Sequence, residues 1–190
     1  MEVSHDQAPL LLALLLAAAP ARAAGWTIDP KASEIRFSGK HAGRDFTGVF
    51  AQWGGTISFD PAKLDAARVA IDVKLGSAKT GDTTYDKTLP GVDWFNVEAF
   101  PTARFTTQSI QAAGPGRYVA QGILSIRGVN APVTLPFSLE IKGDQAAMTG
   151  STTLKRVAWG IGKGPDASGA WVSLDIPVSI KVSAKRAAAK

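Results

Sequence analysis

Cysteine is absent from the 190 residues. The chain therefore carries no disulfide framework, and its fold must be held by core packing alone. Histidine is nearly absent too, because the 2 in the chain are His5, close to the start, and His41. With no thiolate and one imidazole downstream of the N-terminal segment, the zinc, copper and haem ligand sets cannot be assembled. A Ser-His-Asp triad would have to use His41, and no G-x-S-x-G turn is present. Gly160-Ile161-Gly162-Lys163-Gly164 lacks the GK[ST] ending of a phosphate loop and does not lead into a helical pattern. Long apolar runs are also missing. The longest, Pro9 to Ala19, covers about eleven residues where a membrane-crossing helix needs ~20. There is no internal repeat, and the AKRAAAK tail is the one low-complexity segment. Asp82, Asp86 and Asp93 gather in one stretch and resemble a paired-acid site. Each precedes a helical segment, however, where a carboxylate caps free backbone N–H groups. The expectation is a binding protein with no catalytic residue, cofactor or metal.

The run Pro9 to Ala19 has the length of a secretory h-region, and Ala21 and Ala23 satisfy the small-x-small cleavage rule. We read residues 1–23 as a signal peptide, 24–183 as one domain and 184–190 as a basic tail. MEVSHDQA carries two acids and no Lys or Arg, unlike the usual basic start, and an uncleaved anchor is the alternative. Cleavage predicts a periplasmic protein. The net charge of +5 would rise by one on removal of Glu2, Asp6 and Arg22. Lys163, Lys181, Lys185, Arg186 and Lys190 crowd the C-terminal region, and the remaining cations are scattered. Aromatic and basic residues do not interleave as they do in single-strand binders, which points away from nucleic acid. A mild attraction to anionic membrane surfaces, with transient contact, fits the charge better.

From Trp26 onward the pattern has a period of two. Ile35, Phe37, Gly39 and His41 share one parity, as do Thr47, Val49, Ala51 and Trp53. Ile57 and Phe59 follow the Gly54-Gly55 pair, then come Ile71, Val73 and Leu75. Phe105 and Thr107 precede the Gly114-Pro115-Gly116 turn, and Tyr118, Ala120, Gly122, Leu124 and Ile126 make the next face. Val133, Leu135, Phe137, Leu139 and Ile141 form the clearest strand, and Val172 to Val182 closes the domain. Seven or eight such segments, separated by turn residues, predict antiparallel strands with one wet face. Long strands favour closure into a barrel, because an open edge invites aggregation. Inward parities that mix large residues with Gly39, Ala51, Ala120, Gly122 and Thr152 leave room inside.

One stretch breaks the pattern. Thr80 to Phe105, TGDTTYDKTLPGVDWFNVEAFPTARF, packs Tyr85, Leu89, Val92, Trp94, Phe95, Val97 and Phe100 into a short helical plug. Asp82 or Thr83 caps a first turn carrying Tyr85 and Leu89, and Pro90-Gly91 stops it. Asp93 caps a second turn, and Pro101 restores extended chain. Such a plug predicts a lid over the end of a sheet or barrel.

The TG…D…L…DWF/V…FP…F pattern of that stretch resembles the YceI-like family, the lipocalin-like polyisoprenoid-binding proteins of bacteria. WTIDPKASEIRFSGKHAG, GILSIRGVNAPVTLPFSL and LKRVAWGIG match it as well, in the right order, from about Trp26 to Val182. The family's Asn before the arginine of the last motif and its Ser-Asp after it are replaced here by Lys155, Val157 and Ala158. The resemblance implies an all-β fold, an extended eight-stranded antiparallel lipocalin-like barrel with a short helical lid. It also implies an internal pocket for an amphiphilic isoprenoid-like lipid, of polyprenyl phosphate or quinone type, and a homodimer stays open.

The candidate ligand-binding residues are Phe37, His41, Phe50, Trp53, Phe105, Phe137, Leu139, Arg156 and Trp159. His41 and Arg156 each end an otherwise inward apolar face. They are expected together at the pocket mouth, contacting a polar head by charge-assisted hydrogen bonds. A structural carboxylate for Arg156 is the alternative. The segment Trp171 to Ser183 is about 43 Å extended, or roughly 33 Å of barrel height at a tilt near ~40°. That is close to the ~30 Å of a bilayer's hydrocarbon core. Burying twenty methylenes contributes on the order of 16 kcal/mol gross, less several kcal/mol of ordering. Two other architectures fit the alternation: an outer-membrane barrel with its apolar parity facing lipid, and a structural or stress-related interaction module with a filled core.

Overall fold

A computed structural model describes residues 25–188. The expected signal peptide, its cleavage site and Lys190 lie outside the described residues. Eleven strand segments form the sheet: β1 (Gly25–Ile28), β2 (Glu34–His41), β3 (Arg44–Phe50), β4 (Trp53–Ser58), β5 (Arg68–Lys74), β6 (Ala78–Lys79), β7 (Thr102–Ala112), β8 (Arg117–Ile126), β9 (Val129–Lys142), β10 (Gln145–Lys155) and β11 (Asp175–Arg186). One helix, α1 (Thr83–Thr88), interrupts them.

Every named pairing is antiparallel, and the circuit β1-β4-β5-β7-β8-β9-β10-β11 returns to β1. That is a closed eight-stranded barrel. β2, β3 and β6 prolong three of its strands toward one end, beside β11 and each other. β1 leads into β2 through the turn at residues 29–33, β3 into β4 through a bend at Ala51-Gln52, and β5 into β6 through the 3-10 turn Leu75–Ser77. The end carrying α1 is called the lid end below, and the end carrying β1 the base.

The period-two pattern accounts for most of the wall. In β9, Leu135, Phe137 and Leu139 turn inward while Thr134, Pro136 and Ser138 face water. β10 alternates exposed and half-buried residues along its whole length. Its register with β11 runs unbroken from Gln145↔Lys185 to Lys155↔Asp175. The register of β9 with β10 is different. It runs from Lys142↔Gln145 to Phe137↔Gly150 and stops there, although both strands continue toward the lid.

Three expectations need correction. In β3 the inward residues are Phe46, Gly48 and Phe50, and Thr47 and Ala51 are exposed. The bend at Ala51-Gln52 moves the parity by one, so that Trp53 again faces inward on β4. The second helical turn of the lid does not form. Asn96 adopts φ 49, outside the helical region, and residues 91–99 are successive turns held by bonds such as Val97 N to Pro90 O (3.0 Å). The tail begins later than residue 184. β11 extends to Arg186, with Ala184 buried and Trp26 paired to Arg186.

Buried side chains gather at the two ends. Trp26, Phe59, Ala67, Ile110 and Ala184 pack at the base. The Trp26 indole donates to Phe59 O (2.9 Å), and the Arg186 guanidinium stacks 4.7 Å from its ring centroid. Leu75, Ala78, Phe95, Trp159 and Ile161 pack at the lid end.

Candidate functional site

Between those two ends lies a cavity of about 300 Å³, running from Trp26 and Ala184 at the base to Trp94 and Trp159 under the lid. Small-molecule pockets occupy ~300–1,000 Å³. Among the side chains that line it, only Thr107, Thr152 and Arg156 are not hydrophobic.

The glycines explain how a barrel so rich in phenylalanine stays hollow. Gly48 lies opposite Phe37 in the β2–β3 ladder, and a Cβ on it would stand 2.3 Å from Phe37 Cζ. Gly39 takes the Phe46 ring in the same way, and Gly122 takes that of Phe105. Each ring lies against bare backbone instead of reaching across the lumen. Of the small residues expected to leave space, Gly39 and Gly122 do so by receiving rings, whereas Ala51 is exposed.

The structure places Phe37, Phe50, Trp53, Phe105, Phe137, Leu139, Arg156 and Trp159 on the cavity wall. His41 is not there. Its Nδ1 lies 2.7 Å from the Tyr85 hydroxyl, and the two rings meet edge-on at 5.2 Å. Since Tyr85 belongs to α1, this contact fastens the lid to the end of β2. The first turn of the lid is built as the sequence indicates. Asp82 accepts from Thr84 N (2.7 Å) and Tyr85 N (3.1 Å) at the start of α1, and Asp86 accepts from the Thr80 hydroxyl (2.8 Å). Arg127 donates to Trp94 O and ties the β8–β9 turn to the lid.

Arg156 does not meet His41 at a mouth. It opens a short 3-10 turn, Arg156–Trp159, that ends at Gly160 with φ 72. That left-handed residue reverses the chain and brings Ile161 O within 2.9 Å of Arg156 Nη1. Arg156 Nε donates to Ser173 O (3.1 Å), and Nη2 donates to Val172 O (2.8 Å), Asp166 O (2.7 Å) and Asp166 Oδ2 (2.7 Å). The pair is buried, with side chains 3% and 5% exposed. Burial pulls the guanidinium below its ordinary pKa, and the Asp166 charge opposes that shift. Burial alone would raise Asp166. The Val172 and Trp171 backbone N–H groups and the Arg156 charge outweigh it and hold the carboxyl below its usual range. Arg156 thus has the structural carboxylate given above as its alternative role. Sequence reasoning did not find Asp166, which sits in a Gly- and Pro-containing loop with no pattern of its own. It also missed Phe46, through the parity change at Ala51-Gln52.

The arrangement can surround an apolar chain. Thr107 is committed to Val69, whose N–H it accepts at 2.9 Å. Among the described residues, none is hydrogen-bonded to the hydroxyl of Thr152, which is half-buried in the wall. No cluster of three or more His, Cys, Asp or Glu that would suit a metal occurs among the described residues.

A closed antiparallel barrel around an apolar lumen defines the class: a lipocalin-like binding fold. The model of the YceI-like domain matches residues 26–184, and the chain belongs to that family. It is 33% identical over 173 residues to a UPF0312 protein of Pseudomonas putida, covering 86% of this chain and 90% of that one. With a UPF0312 protein of Shewanella denitrificans it shares 33% identity over 183 residues, covering 92% and 96%. Among solved structures, BcnA of Burkholderia cenocepacia superposes with a TM-score of 0.79 at 25% identity, over 83% of this chain and 99% of that one. A polyisoprenoid binding domain from Saccharophagus degradans, implicated in plant cell wall breakdown, gives a TM-score of 0.69 at 14% identity, over 85% and 98%.

Proposed function

We propose that the protein is an exported carrier that holds an isoprenoid-like lipid inside its barrel. The observation that carries this reading is the lumen itself, hollow and apolar from base to lid. The polyisoprenoid-binding neighbour supports the ligand class. A filled-core module would have no use for glycines that pull rings out of the lumen. The outer-membrane alternative requires a polar interior, opposite to the one described.

The polar end of the ligand is neutral, of prenol or quinone type. Arg156 is the charged side chain on the cavity wall, and its three nitrogens are engaged by protein acceptors, with Asp166 answering its charge. A phosphate buried beside it would lack a free cation, which is costly in an apolar site. A ligand hydroxyl or carbonyl has a partner in the Thr152 hydroxyl. The protein works by sequestration and not by catalysis, since Asp82 and Asp86 near the lid are occupied as caps and hydrogen-bond acceptors. Val92 and Trp171, 68% and 64% exposed, stand at the lid end and favour brief contact with a membrane surface.

Native mass spectrometry of protein purified from its own host is the test. A retained neutral isoprenoid is expected, together with uptake of retinol, a fluorescent isoprenoid alcohol, by the stripped protein. A protein that emerges without lipid and binds neither retinol nor a prenyl phosphate overturns the reading.

A further inference from the structure

A ligand needs a way in, and neither end of the barrel supplies one. Trp26, Phe59 and Ala67 close the base, and Phe95, Trp159 and Leu75 close the lid end, all of them buried. The wall, by contrast, is interrupted between β9 and β10. β9 and β10 pair from Lys142↔Gln145 to Phe137↔Gly150 and no further. β9 nonetheless continues back to Val129, held by β8, and β10 continues to Lys155, held by β11.

The cause lies in the sequence. N–H groups along a strand alternate between its two neighbours. Leu139 N donates to Gly116 O at the start of β8 (2.8 Å), so the odd-numbered N–H groups of β9 face β8 and the even-numbered ones face β10. Pro132 and Pro136 are both even. Neither has an N–H, and both fall on the edge that should pair with β10, where the ladder ends. The β8 ladder passes through both positions in register, Pro132↔Ile123 and Pro136↔Val119. The prolines thus remove donors on one side of the strand and leave the other side intact. Inside the unpaired stretch, Val133 and Leu135 on β9 and Thr152 and Leu154 on β10 line the cavity.

We propose that this seam, between residues 129–135 of β9 and 152–155 of β10, is the portal through which the ligand enters and leaves from the side. The proposal rests on the carrier reading. Parting the two strands there breaks side-chain contacts but no paired ladder, whereas parting β8 from β9 or β10 from β11 breaks a ladder that runs the length of the pair; β11 and β2, paired from Val178↔Phe37 to Lys181↔Glu34, hold a shorter one. The portal opens directly on Thr152, so a chain sliding in tail-first meets that hydroxyl with its polar end last.

A thiol lock tests it, since the chain contains no cysteine. Continuing the β9–β10 register places Thr134 opposite Thr153, both exposed. The double variant T134C/T153C closes the seam when oxidised and frees it when reduced. S138C/T149C places the same bridge within the paired part, where Ser138 already faces Thr149. If either disulfide fails to close, dibromobimane bridges the thiols. The readout is the rate of retinol uptake by stopped-flow fluorescence, with equilibrium binding measured alongside. The expected result is uptake slowed at least tenfold in bridged T134C/T153C, restored by reduction of the disulfide, and unchanged in bridged S138C/T149C. Equal rates before and after bridging at 134/153 overturn the portal, as does equal slowing by both bridges. Absence of retinol binding in wild type and in every reduced variant would instead sink the carrier reading.

Discussion

Truncation of Arg156 to alanine leaves the Asp166 carboxylate buried without its partner. Losing one side of a buried pair costs about 3–5 kcal/mol, which is roughly 6–20 °C in Tm for a domain of this size. With all three guanidinium nitrogens engaged by protein acceptors, Arg156→Ala should weaken a prenol and a prenyl phosphate alike; selective loss of the phosphate would contradict this. Asp166 also sets an acid limit. Its folded pKa lies below the usual carboxylate value of ~3.9. The stabilisation is therefore fully present above that value and is lost as pH falls through the folded pKa. Asp72, lowered chiefly by its hydrogen bond to Arg104, contributes with the same sign. Thermal melts between pH 6 and pH 2 should fall steeply at the acid end, and Asp166→Asn should flatten that fall while lowering Tm at neutral pH.

At the scale of elements, the lid depends on its cap. Asp82→Ala removes the acceptor for Thr84 N and Tyr85 N and should cost about 1 kcal/mol. Amide exchange should quicken at Asp86 and Leu89, the N–H groups that close α1, with little change in the barrel. Tyr85→Phe removes the hydroxyl that meets His41 and should loosen the same helix by about 1 kcal/mol. These caps were legible in the sequence because they are local, as was the inward face of β9, since an unbroken alternation admits one reading. The inward face of β3 was not legible. A bend of two residues, Ala51-Gln52, inverts the count, and nothing in the composition marks the bend more strongly than the neighbouring Gly54-Gly55. The Arg156–Asp166 pair was hidden for a different reason. It joins residues ten apart through a turn ended by Gly160, and that geometry exists only after the loop has folded. The phenylalanine–glycine contacts likewise required the strand register.

For the whole molecule, closure is the decisive event, and it rests on a few residues at the C-terminus. β1 meets β11 through Ile28↔Ala184, Thr27↔Lys185 and Trp26↔Arg186. A chain ending at Ser183 should leave β1 without that neighbour, expose the base around Trp26 and melt well below the full-length protein. A chain ending at Ala187 should melt like it. Differential scanning calorimetry of the two truncations decides the point, and equal melting temperatures would show that the barrel does not need this contact.

The phenylalanines that lie on bare glycine backbone give the barrel an adjustable bore. A methyl group at Gly48 would run into the Phe37 ring, one at Gly39 into the Phe46 ring and the Ser173 hydroxyl, and one at Gly122 into the Phe105 ring and the Thr106 carbonyl oxygen. At Gly48, where the nearest atoms all belong to the Phe37 ring, such a step should narrow the channel at one height. The calibre of the channel is therefore written separately from the architecture of its wall. A single hydrogen exchanged for a methyl group at Gly48 should change the bore and not the fold.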